Sequence, residues 1–427
     1  MLIRFDDKAL REKSMKAEYG LERESLRTTL NGKIAMTPHP FAEDKHIDRD
    51  FCECQTELIT DVFDNADALL SHLGRLEDQV DEVLLKQNEV LWSFSNPPFF
   101  CSEGEIPVAS FGKEQQHKNN YRAYLARKYG KKKMLFSGIH FNFSFQSELM
   151  QALYQEHLLK APCKGSFQSF KNQFYLDLAA RLTEYAWLVV YLTAASPVSD
   201  PSFGFQNDQY RSIRCGREGY WNDFVPILDY RSFSGYIQSI RSLIGQKKIA
   251  AVSELYYPVR LKPRGENRLS CLEENGVNHI ELRVLDVNPL TREGIMKEDI
   301  RFLHLLMLYL ASLPEKEFDE QKQSAAIGKI KQAALFENDD IKNEARSVLE
   351  RMSDFVKTYF PKECAVMDFQ LAKLRNGGSY AEIVSSIFSA DYLNRGLLLA
   401  KAFQRRETVC ANCSVFLPQR NILQTTA

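Results

Sequence analysis

Four separated segments of the chain alternate apolar residues with ionisable or hydrogen-bonding ones: 21–25, 51–59, 139–145 and 279–284. Because side chains two apart on a strand project from the same face, each segment predicts a strand with one polar face. Carboxylates and imidazoles hold divalent cations, so these faces predict the wall of a metal-binding active site. The polar residues expected to point together are Glu22 with Glu24; Glu53, Gln55 and Glu57; His140, Asn142 and Ser144; and His279, Glu281 and Arg283.

The acidic residues of these segments form an unusual set if the strands are neighbours. Glu22, Glu24, Glu57 and Glu281 would then line an anionic cavity, in which like charges repel unless cations lie between them. His140 adds a neutral nitrogen ligand. Such a cluster typically holds about two or three Mg²⁺ or Mn²⁺ ions and, through them, phosphate oxygens. The simpler alternative is a soluble α+β domain with acidic strands, because a single Glu on a strand is most often a surface residue.

Arginines and tyrosines could complete such a site. Arg283 shares the polar face of its segment, and Arg214 lies in a glycine-containing, loop-like segment. A planar guanidinium suits a carboxylate or a transferring phosphoryl group, although a structural ion pair is its commoner role. Tyr121, Tyr220, Tyr256 and Tyr257 stand in polar surroundings, where a phenol either hydrogen-bonds a small ligand or packs at the rim of the core.

The composition is that of a globular protein without nucleic acid or a membrane as its main partner. The 427 residues are 44% apolar and 26% charged, with a formal net charge of −1. The amino terminus lacks the apolar segment of a secretory signal, and the most apolar stretch, 187–195, is about half the ~20 residues that span a bilayer. Nine scattered cysteines, including Cys410 and Cys413, indicate reduced thiols of a cytoplasmic protein.

Helix-like segments separate the predicted strands. Apolar residues recur at helical spacing in 67–85 and 169–195. Because the acids are spread over segments with helices between them, we expect residues 1–427 to form a single catalytic unit, with a sheet-bearing core at 15–295 and a mostly helical tail at 296–427. The sequence has no GxxxxGK(S/T) motif and no GxGxxG after a strand, so a nucleotide would bind through metal and arginine.

Six motifs follow one another across roughly the first two thirds of the chain: YGLERESLR (19–27), DFCECQTELIT (50–60), LWSFSNPP (91–98), SGIHFNFSF (137–145), ELYYPVRLKPR (254–264) and HIELRVLDVNP (279–289). Each motif alone is modest, but six in this order are specific. With them the chain resembles the bacterial (proteobacterial-type) glutamate–cysteine ligases, the enzymes of the first step of glutathione synthesis.

The resemblance implies a fold and a set of cofactors. The fold is α+β, with a funnel-like antiparallel sheet that lines a multi-metal ATP site, as in glutamine synthetase and the guanidino kinases. Helices surround the sheet, and the carboxyl-terminal tail is helical. ATP is the implied co-substrate, together with about two or three Mg²⁺ ions, or Mn²⁺ in their place.

The resemblance also implies roles for individual residues, carried over motif by motif. Asp50 matches a metal ligand of the family although it lies off the face of Glu53 and Glu57, so a bend at the start of the strand must bring it in. We expect Asn142 and Arg283 to contact the nucleotide. The implied metal ligands are Glu22, Glu24, Asp50, Glu57, His140 and Glu281; Arg214 and Arg283 are the implied contacts of the transferred phosphoryl group; and Phe51, Tyr121, Arg122, Tyr220 and Tyr256 are the implied lining of the cysteine pocket.

The implied reaction joins the γ-carboxylate of L-glutamate to the amine of L-cysteine through γ-glutamyl phosphate, releasing ADP and phosphate. Two alternatives remain open: a related glutamate–amine ligase with a different acceptor, and a non-catalytic regulatory protein that binds metal or nucleotide. The sequence lacks the long ATP-grasp region of the bifunctional fusions. We therefore expect a one-step enzyme with small-molecule partners, whose product passes to a separate glutathione synthetase.

Overall fold

The fold is built on a sheet whose strands are β1 (Ala17–Thr29), β2 (Ile47–Arg49), β3 (Gln55–Ile59), β4 (Glu89–Leu91), β5 (Gly138–Phe145), β6 (Val259–Lys262) and β7 (His279–Asp286). Their order is β2-β3-β1-β5-β7-β6, and β4 pairs with the carboxyl-terminal end of β1. Each pair is antiparallel. The first strand of the chain therefore lies in the middle of the sheet, with partners that follow it by very different distances in sequence.

The computed structural model describes residues 1–41, 43–160, 165–204 and 209–407, so Cys410 and Cys413 lie outside the described residues. The α-helices are α1 (Lys8–Ser14), α2 (Ala66–Gln87), α3 (Gln116–Tyr129), α4 (Ser147–Lys160), α5 (Phe167–Thr193), α6 (Phe233–Gly245), α7 (Leu269–Asn275), α8 (Lys297–Ser312), α9 (Glu320–Ala333), α10 (Asp339–Tyr359), α11 (Cys364–Ala372), α12 (Tyr380–Phe388) and α13 (Tyr392–Gln404). Short 3₁₀ helices are Glu103–Glu105, Lys113–Gln115, Lys133–Leu135, Pro201–Phe203, Val252–Glu254 and Pro361–Glu363.

The predicted α+β class, with an antiparallel sheet and a helical tail, is confirmed. The helix expected at 67–85 is α2, and the side chain of Asn65 caps it by accepting from the Ala68 N–H at 2.8 Å. The helix expected at 169–195 is α5. Within the described residues after β7, the regular elements are all helices.

The sheet has one apolar face, which helices cover. Ile139, Phe141 and Phe143 of β5 are buried on that face, and α5 packs against β6 and β7. In α8, the ring of His304 packs at a tilt against that of Phe143, and its Nδ1 lies 2.8 Å from the hydroxyl of Tyr19 in β1. The opposite face of the same strands is left to the polar residues.

The segment 51–59 is not one strand, as the alternating pattern predicted. β3 begins only at Gln55, and the residues before it form the turn from β2. Glu53 therefore does not share the polar face of the segment. Its carboxylate instead accepts hydrogen bonds from the backbone N–H groups of His39 and Ser110, at 2.9 and 2.5 Å. Backbone N–H groups near the turn need acceptors, and Glu53 supplies them, so its direction does not follow the alternation of a strand.

The pairing of β5 with β7 contains a β-bulge. Ile139 lies opposite Leu285 but Phe141 lies opposite Leu282, so β7 has one extra residue over this stretch. The ladder is interrupted there, and the N–H of Arg283 donates to the carbonyl of the residue before β6, at 2.9 Å. A bulge of this kind re-aims side chains and frees carbonyl groups.

Among the described residues, no helix is both long enough and apolar enough to cross a bilayer. The described cysteines are all free thiols, which agrees with the expectation of reduced cysteines for this part of the chain. They are Cys52, Cys54, Cys101, Cys215, Cys271 and Cys364.

A buried ion pair joins three helices of the tail. Asp299, in the first turn of α8, accepts hydrogen bonds from Lys373 Nζ at 2.5 Å and from the hydroxyl of Tyr380 at 2.7 Å. Gln370 of α11 donates to the same carboxylate at 2.9 Å. All four side chains are buried, so the carboxylate depends on these donors in place of water.

Lys373→Met should lower the free energy of unfolding by about 3–5 kcal/mol, because it leaves the Asp299 carboxylate buried without its cation. Lys362→Met, at an exposed position close by in sequence, is the matched control and should change stability by less than about 0.5 kcal/mol. Urea unfolding followed by circular dichroism measures both. Equal stabilities of the two variants would contradict the importance of the pair.

Candidate active site

The central strand β1 places two carboxylates between acids and an imidazole from its neighbours. Glu24 lies directly opposite Glu57 of β3, and Glu22 lies opposite His140 of β5. Residues in register project from the same face, so the three strands present one continuous polar surface. Ligand atoms of Glu22, Glu57 and His140 all lie within 4.8 Å of one another. The sequence prediction that these side chains point together is borne out by the register.

His140 is oriented so that one ring nitrogen faces this cluster. Its Nδ1 lies 3.0 Å from Glu22 Oε2, and because a carboxylate only accepts, Nδ1 carries the proton. Burial, with Arg283 nearby, lowers the pKa of His140 to about 4, so the ring is neutral at neutral pH. The lone pair is then on Nε2, which is buried and has no hydrogen-bond partner among the described residues.

The acids of the cluster, of which Glu24 is buried and Glu57 and Asp50 are half-buried, are held close enough to repel. Burial, followed by repulsion from Asp50, raises the pKa of Glu24 to about 8. Burial and repulsion from Glu22 raise the pKa of Glu57 well above its usual value. Burial also raises the pKa of Asp50. Carboxylates with an unpartnered imidazole nitrogen among them are a suitable donor set for Mg²⁺ or Mn²⁺, and a bound cation would remove the repulsion.

Asp50 reaches this group from a different strand than the sequence suggested. Asp48 of β2 lies opposite Glu57, so β2 and β3 share a polar face. Asp50 follows two residues later, at the end of β2, where its N–H donates to the Gln55 carbonyl at 3.1 Å. The bend expected at the start of β3 is therefore the β2–β3 turn. Asp48 was missed by the sequence analysis, although it shares the spacing of two with Asp50.

Glu281 is an acid of a different kind, because cations surround it. It is fully buried, lies opposite Asn142 of β5, and accepts from Arg260 Nε at 2.6 Å and Lys262 Nζ at 3.2 Å. Arg283 also donates to it, at 3.2 Å. Burial opposes ionisation, but Arg260 and the other cations hold the pKa of Glu281 well below its usual value. This carboxylate is ionised and fixed.

Arg260 and Lys262 are site residues that the sequence analysis missed. Both belong to β6, where Arg260 lies opposite Glu281 and Lys262 opposite His279. The signal was present in the motif at 254–264, where basic residues alternate with apolar ones. Their cationic groups extend the polar surface beyond the acids.

Asn142 and Arg214 hold the polar surface at two further points. Asn142 Nδ2 donates to Glu22 Oε1 at 3.0 Å, and its Oδ1 is buried without a hydrogen-bond partner among the described residues. Arg214 donates to the carbonyl groups of Arg283 and Leu285 at 3.0 and 3.2 Å, both at the β7 bulge. Its guanidinium lies against Gly138, where a Cβ would come within 2.2 Å of Nη2. Only glycine leaves room for it.

A small cavity brings the predicted arginines and tyrosines together. Arg214, Arg283, Tyr220 and Tyr256 all line it. The rings of Tyr220 and Tyr256 are 4.4 Å apart at their centroids. The cavity therefore combines planar cations with aromatic walls, beside the acid cluster.

The other residues predicted for the acceptor pocket lie around the same core. Phe51 is fully buried in one hydrophobic cluster with Tyr256, and Tyr121 packs against that cluster. The hydroxyl of Tyr121 accepts from Ser253 at 3.1 Å. Arg122 donates through Nε to the Asp50 carbonyl at 2.6 Å, so it fixes the backbone that carries an acid of the cluster.

Glu254, in the 3₁₀ helix Val252–Glu254, anchors the aromatic wall. It is fully buried, and one carboxylate oxygen accepts from Lys128 Nζ at 2.6 Å and from the hydroxyl of Tyr129 at 2.8 Å. Asn222 connects this network to the wall, because it donates to the Tyr129 hydroxyl and accepts from the Tyr256 N–H. Glu254 thereby holds α3 to the segment that carries Tyr256. No feature of the sequence singled it out.

The family model described as glutamate–cysteine ligase matches residues 2–250 and 226–332, which together make up most of the chain. The chain belongs to the glutamate–cysteine ligase family. The family predicted from the six motifs is thus confirmed. The second match ends inside α9, so helices α10 to α13 lie beyond the matched residues.

Named relatives of this family member are bifunctional proteins. The glutathione biosynthesis bifunctional protein of Clostridium perfringens is 33% identical over 434 residues, covering 93% of this chain and 55% of the relative. That of Listeria monocytogenes serotype 4b is 34% identical, covering 95% of this chain and 57% of the relative. The chain therefore spans about half the length of the curated relatives that it matches.

Solved structures show the same fold. A bifunctional glutathione synthetase from Pasteurella multocida aligns with a TM-score of 0.83 and 27% identity, over 93% of this ligase-family chain and 53% of that one. A glutamate–cysteine ligase from Francisella tularensis, in complex with AMP, aligns with a TM-score of 0.82 and 21% identity, over 92% of this chain and 89% of that one. At the latter identity, the likeness concerns the fold alone.

Mg²⁺ should raise the melting temperature of the protein relative to EDTA, because a cation relieves the repulsion among the buried carboxylates. At a free Mg²⁺ concentration about a hundredfold above Kd, binding adds about 2.7 kcal/mol to the free energy of unfolding. Glu57→Gln keeps the shape but removes an acid whose ionisation the metal-free fold opposes, so it should melt higher than wild type in EDTA and gain less from Mg²⁺. Differential scanning calorimetry checks both. The exposed Glu266→Gln is the control, and an equal gain in all three proteins would exclude Glu57 as a ligand.

Proposed function

We propose that this chain catalyses the ATP-dependent joining of L-glutamate to L-cysteine, giving γ-glutamylcysteine, ADP and phosphate. One observation carries the proposal: a face of acids and one imidazole adjoins a cavity lined by Arg214, Arg283, Tyr220 and Tyr256, in a member of the glutamate–cysteine ligase family. The acids and the imidazole suit a metal–triphosphate. The cavity suits a small zwitterionic acceptor and the carboxylate that is phosphorylated.

The residues proposed to hold Mg²⁺ or Mn²⁺ are the acids and the imidazole of the sheet. His140 offers the unpartnered Nε2 lone pair, and the acids with raised pKa values offer carboxylate oxygens. When bound, the cations supply neutralisation of the charge on the triphosphate. We propose the full set of ligands as Glu22, Glu24, Asp50, Glu57, His140 and Glu281, serving about two or three ions.

The two arginines are proposed to position the reacting groups. The γ-carboxylate of glutamate attacks the γ-phosphorus of ATP, the bond to the bridging oxygen breaks, and ADP leaves. Arg214 and Arg283 border the cavity, where their guanidinium groups can contact the phosphoryl oxygens. We propose that Asn142, with its unpartnered Oδ1, joins Arg283 in contacting the nucleotide.

The aromatic wall is proposed to hold the acceptor amino acid. The amine attacks the carbonyl carbon of γ-glutamyl phosphate, phosphate leaves, and the amine loses a proton. Tyr220 and Tyr256 form the wall next to the arginines, and Tyr121 presents a hydroxyl from α3. We assign Phe51 and Arg122 to the same pocket, as support for this wall. The protein forms no covalent bond to substrate, and its contribution is positioning and electrostatics.

We also propose that the core and the helical tail act as a single catalytic unit. The packing of α8 on α5 and α2, beneath the sheet, supports this. Whether the product passes to a separate glutathione synthetase stays a prediction, since the named relatives are bifunctional proteins.

The decisive experiment is ADP release with L-glutamate, Mg-ATP and L-cysteine, coupled to identification of the product by mass spectrometry. We expect ADP release that depends on cysteine, and γ-glutamylcysteine as the product. Glu24→Gln should abolish turnover without unfolding the protein, because it removes a proposed metal ligand without changing shape. Faster ADP release with another amine would identify a different acceptor, and no release with any amine would favour a regulatory protein.

Glu254→Gln should raise the KM for L-cysteine by about tenfold to a hundredfold, with the KM for ATP changed less than about twofold. In the wild type, the Ala250 N–H donates to Glu254 Oε2, and Lys128 is among the donors to Oε1. The NH₂ group of glutamine must replace one of these two acceptors, so it places a donor against a donor. Either arrangement shifts the segment that carries Tyr256. Steady-state kinetics with each substrate varied in turn measures the split.

Asp299→Asn is the matched control for this variant. Its carboxylate is also buried and also accepts from a lysine and a tyrosine, but it lies in the tail. It should lower stability and leave each KM unchanged. If Glu254→Gln lowers stability with the same unchanged KM for cysteine, Glu254 has a structural role only.

A further inference from the structure

A second group of side chains with metal-ligand geometry lies at the edge of the sheet. It consists of His46, Asp61 and His72, which offer one ligand atom each within 4.8 Å of one another. His46 precedes β2, Asp61 follows β3, and His72 belongs to α2. Along the chain, Asp61 is four residues beyond Glu57, about 13 Å of extended backbone. The proposed reaction uses none of the three.

His46 is oriented as metal-bound histidines are. Its Nδ1 lies 2.8 Å from the carbonyl oxygen of Ile59. A carbonyl only accepts, so Nδ1 carries the ring proton and the lone pair of neutral His46 is on Nε2. That Nε2 lies 3.8 Å from Asp61 Oδ2. A lone pair facing a carboxylate is unfavourable unless a cation lies between them, and a carbonyl bound to the other nitrogen commonly fixes this tautomer in metal sites.

His72 approaches the same carboxylate oxygen from the helix. Its Nε2 lies 4.0 Å from Asp61 Oδ2, and its ring packs edge-to-face on that of His46, with centroids 5.4 Å apart. The Asp61 N–H donates to His72 Nδ1 at 3.2 Å. Cation binding at Nε2 moves the ring proton to Nδ1, so this long hydrogen bond would break.

We propose that His46, Asp61 and His72 form a binding site for a divalent transition cation of the Zn²⁺ class. Two imidazoles and one carboxylate match the ligands of Zn²⁺, whereas Mg²⁺ prefers oxygen ligands alone. Tetrahedral coordination places donor atoms about 3.3 Å apart, so each donor moves by less than about 1 Å. Asp61 is more than half exposed and free to make that movement, and its other oxygen lies 3.6 Å from Lys45.

The site would join three elements at the margin of the active site. β2 begins beside His46 and leads through Asp48 to Asp50, and β3 leads from Glu57 to Asp61. A cation shared with α2 would tie this short edge strand to the helix. Its expected effect is to stabilise the edge from which Asp50 reaches the acid cluster, without taking part in the reaction.

The test is isothermal titration calorimetry with Zn²⁺ alone as the probe, on the full chain, in buffer with millimolar Mg²⁺ to occupy the acid cluster. Wild type should bind Zn²⁺ with one equivalent assigned to this site. His72→Gln and Asp61→Asn should each lower the affinity for Zn²⁺ at this site by at least about tenfold. Substitution of residues that only hydrogen-bond to metal ligands already lowers metal affinity by this factor. Circular dichroism establishes that each variant is folded.

Two matched histidine variants make the assignment specific. His157→Gln, on α4 and outside both ligand groups, should keep the equivalent. His140→Gln should also keep it, because it alters only the acid cluster. If the equivalent survives in His72→Gln, or disappears in His140→Gln, Zn²⁺ binds elsewhere and the proposal is wrong. The titration needs no substrate, so its outcome is independent of the proposed reaction.

Discussion

The structure depends on keeping carboxylates side by side in the middle of a sheet. Glu24 of β1 lies in register with Glu57, and carboxylates at that spacing repel. β1 tolerates this because its other face, with Tyr19 and Leu21, is embedded in the main hydrophobic core. A slip of one residue would move the acids into that core, so the apolar contacts fix the register that repulsion opposes. Apolar packing on one face of β1 thus holds the repelling carboxylates together on the other face.

Charge changes sign across the polar face, from one edge of the sheet to the other. On one side, Glu24 of β1, Glu57 of β3 and Asp50 after β2 have raised pKa values and lie without enough cations. On β7 and β6, Arg260, Lys262 and Arg283 surround a single acid, Glu281. The proposed metal–triphosphate would fit such a gradient, because the acids can bind its cations and the basic residues can bind its phosphate oxygens. Arg214, held at the β7 bulge, continues the basic half into the cavity.

Much of this face was predictable from the sequence, because the alternation of side chains between the two faces is set within each strand and needs no knowledge of its partners. Glu22, Glu24, His140, Asn142 and Glu281 point as the alternation predicted. The pattern failed at Glu53, since an alternating sequence does not reveal that a turn interrupts it.

The features of the site that the sequence did not predict depend on contacts between residues far apart in the chain. The partners of Glu281 on β6 follow only from strand order, and the one-residue bulge on β7 leaves no compositional mark. Glu254 acts through residues more than a hundred positions away, such as Lys128 and Tyr129, and its 3₁₀ helix has no periodic signature. The roles of individual residues in the reaction remain predictions.

The position of β1 at the centre of the sheet, far ahead of its partner β5 in sequence, has a consequence for biosynthesis. β1 ends at Thr29, whereas its partner β5 begins only at Gly138. At ribosomal rates of about 5–20 residues per second, the nascent chain presents one open edge of β1 for on the order of ten seconds. An unpaired edge with an apolar face is prone to aggregate, while its clustered acids discourage self-association by mutual repulsion. The acids proposed to bind cations in the folded protein would thus also protect the growing chain on the ribosome.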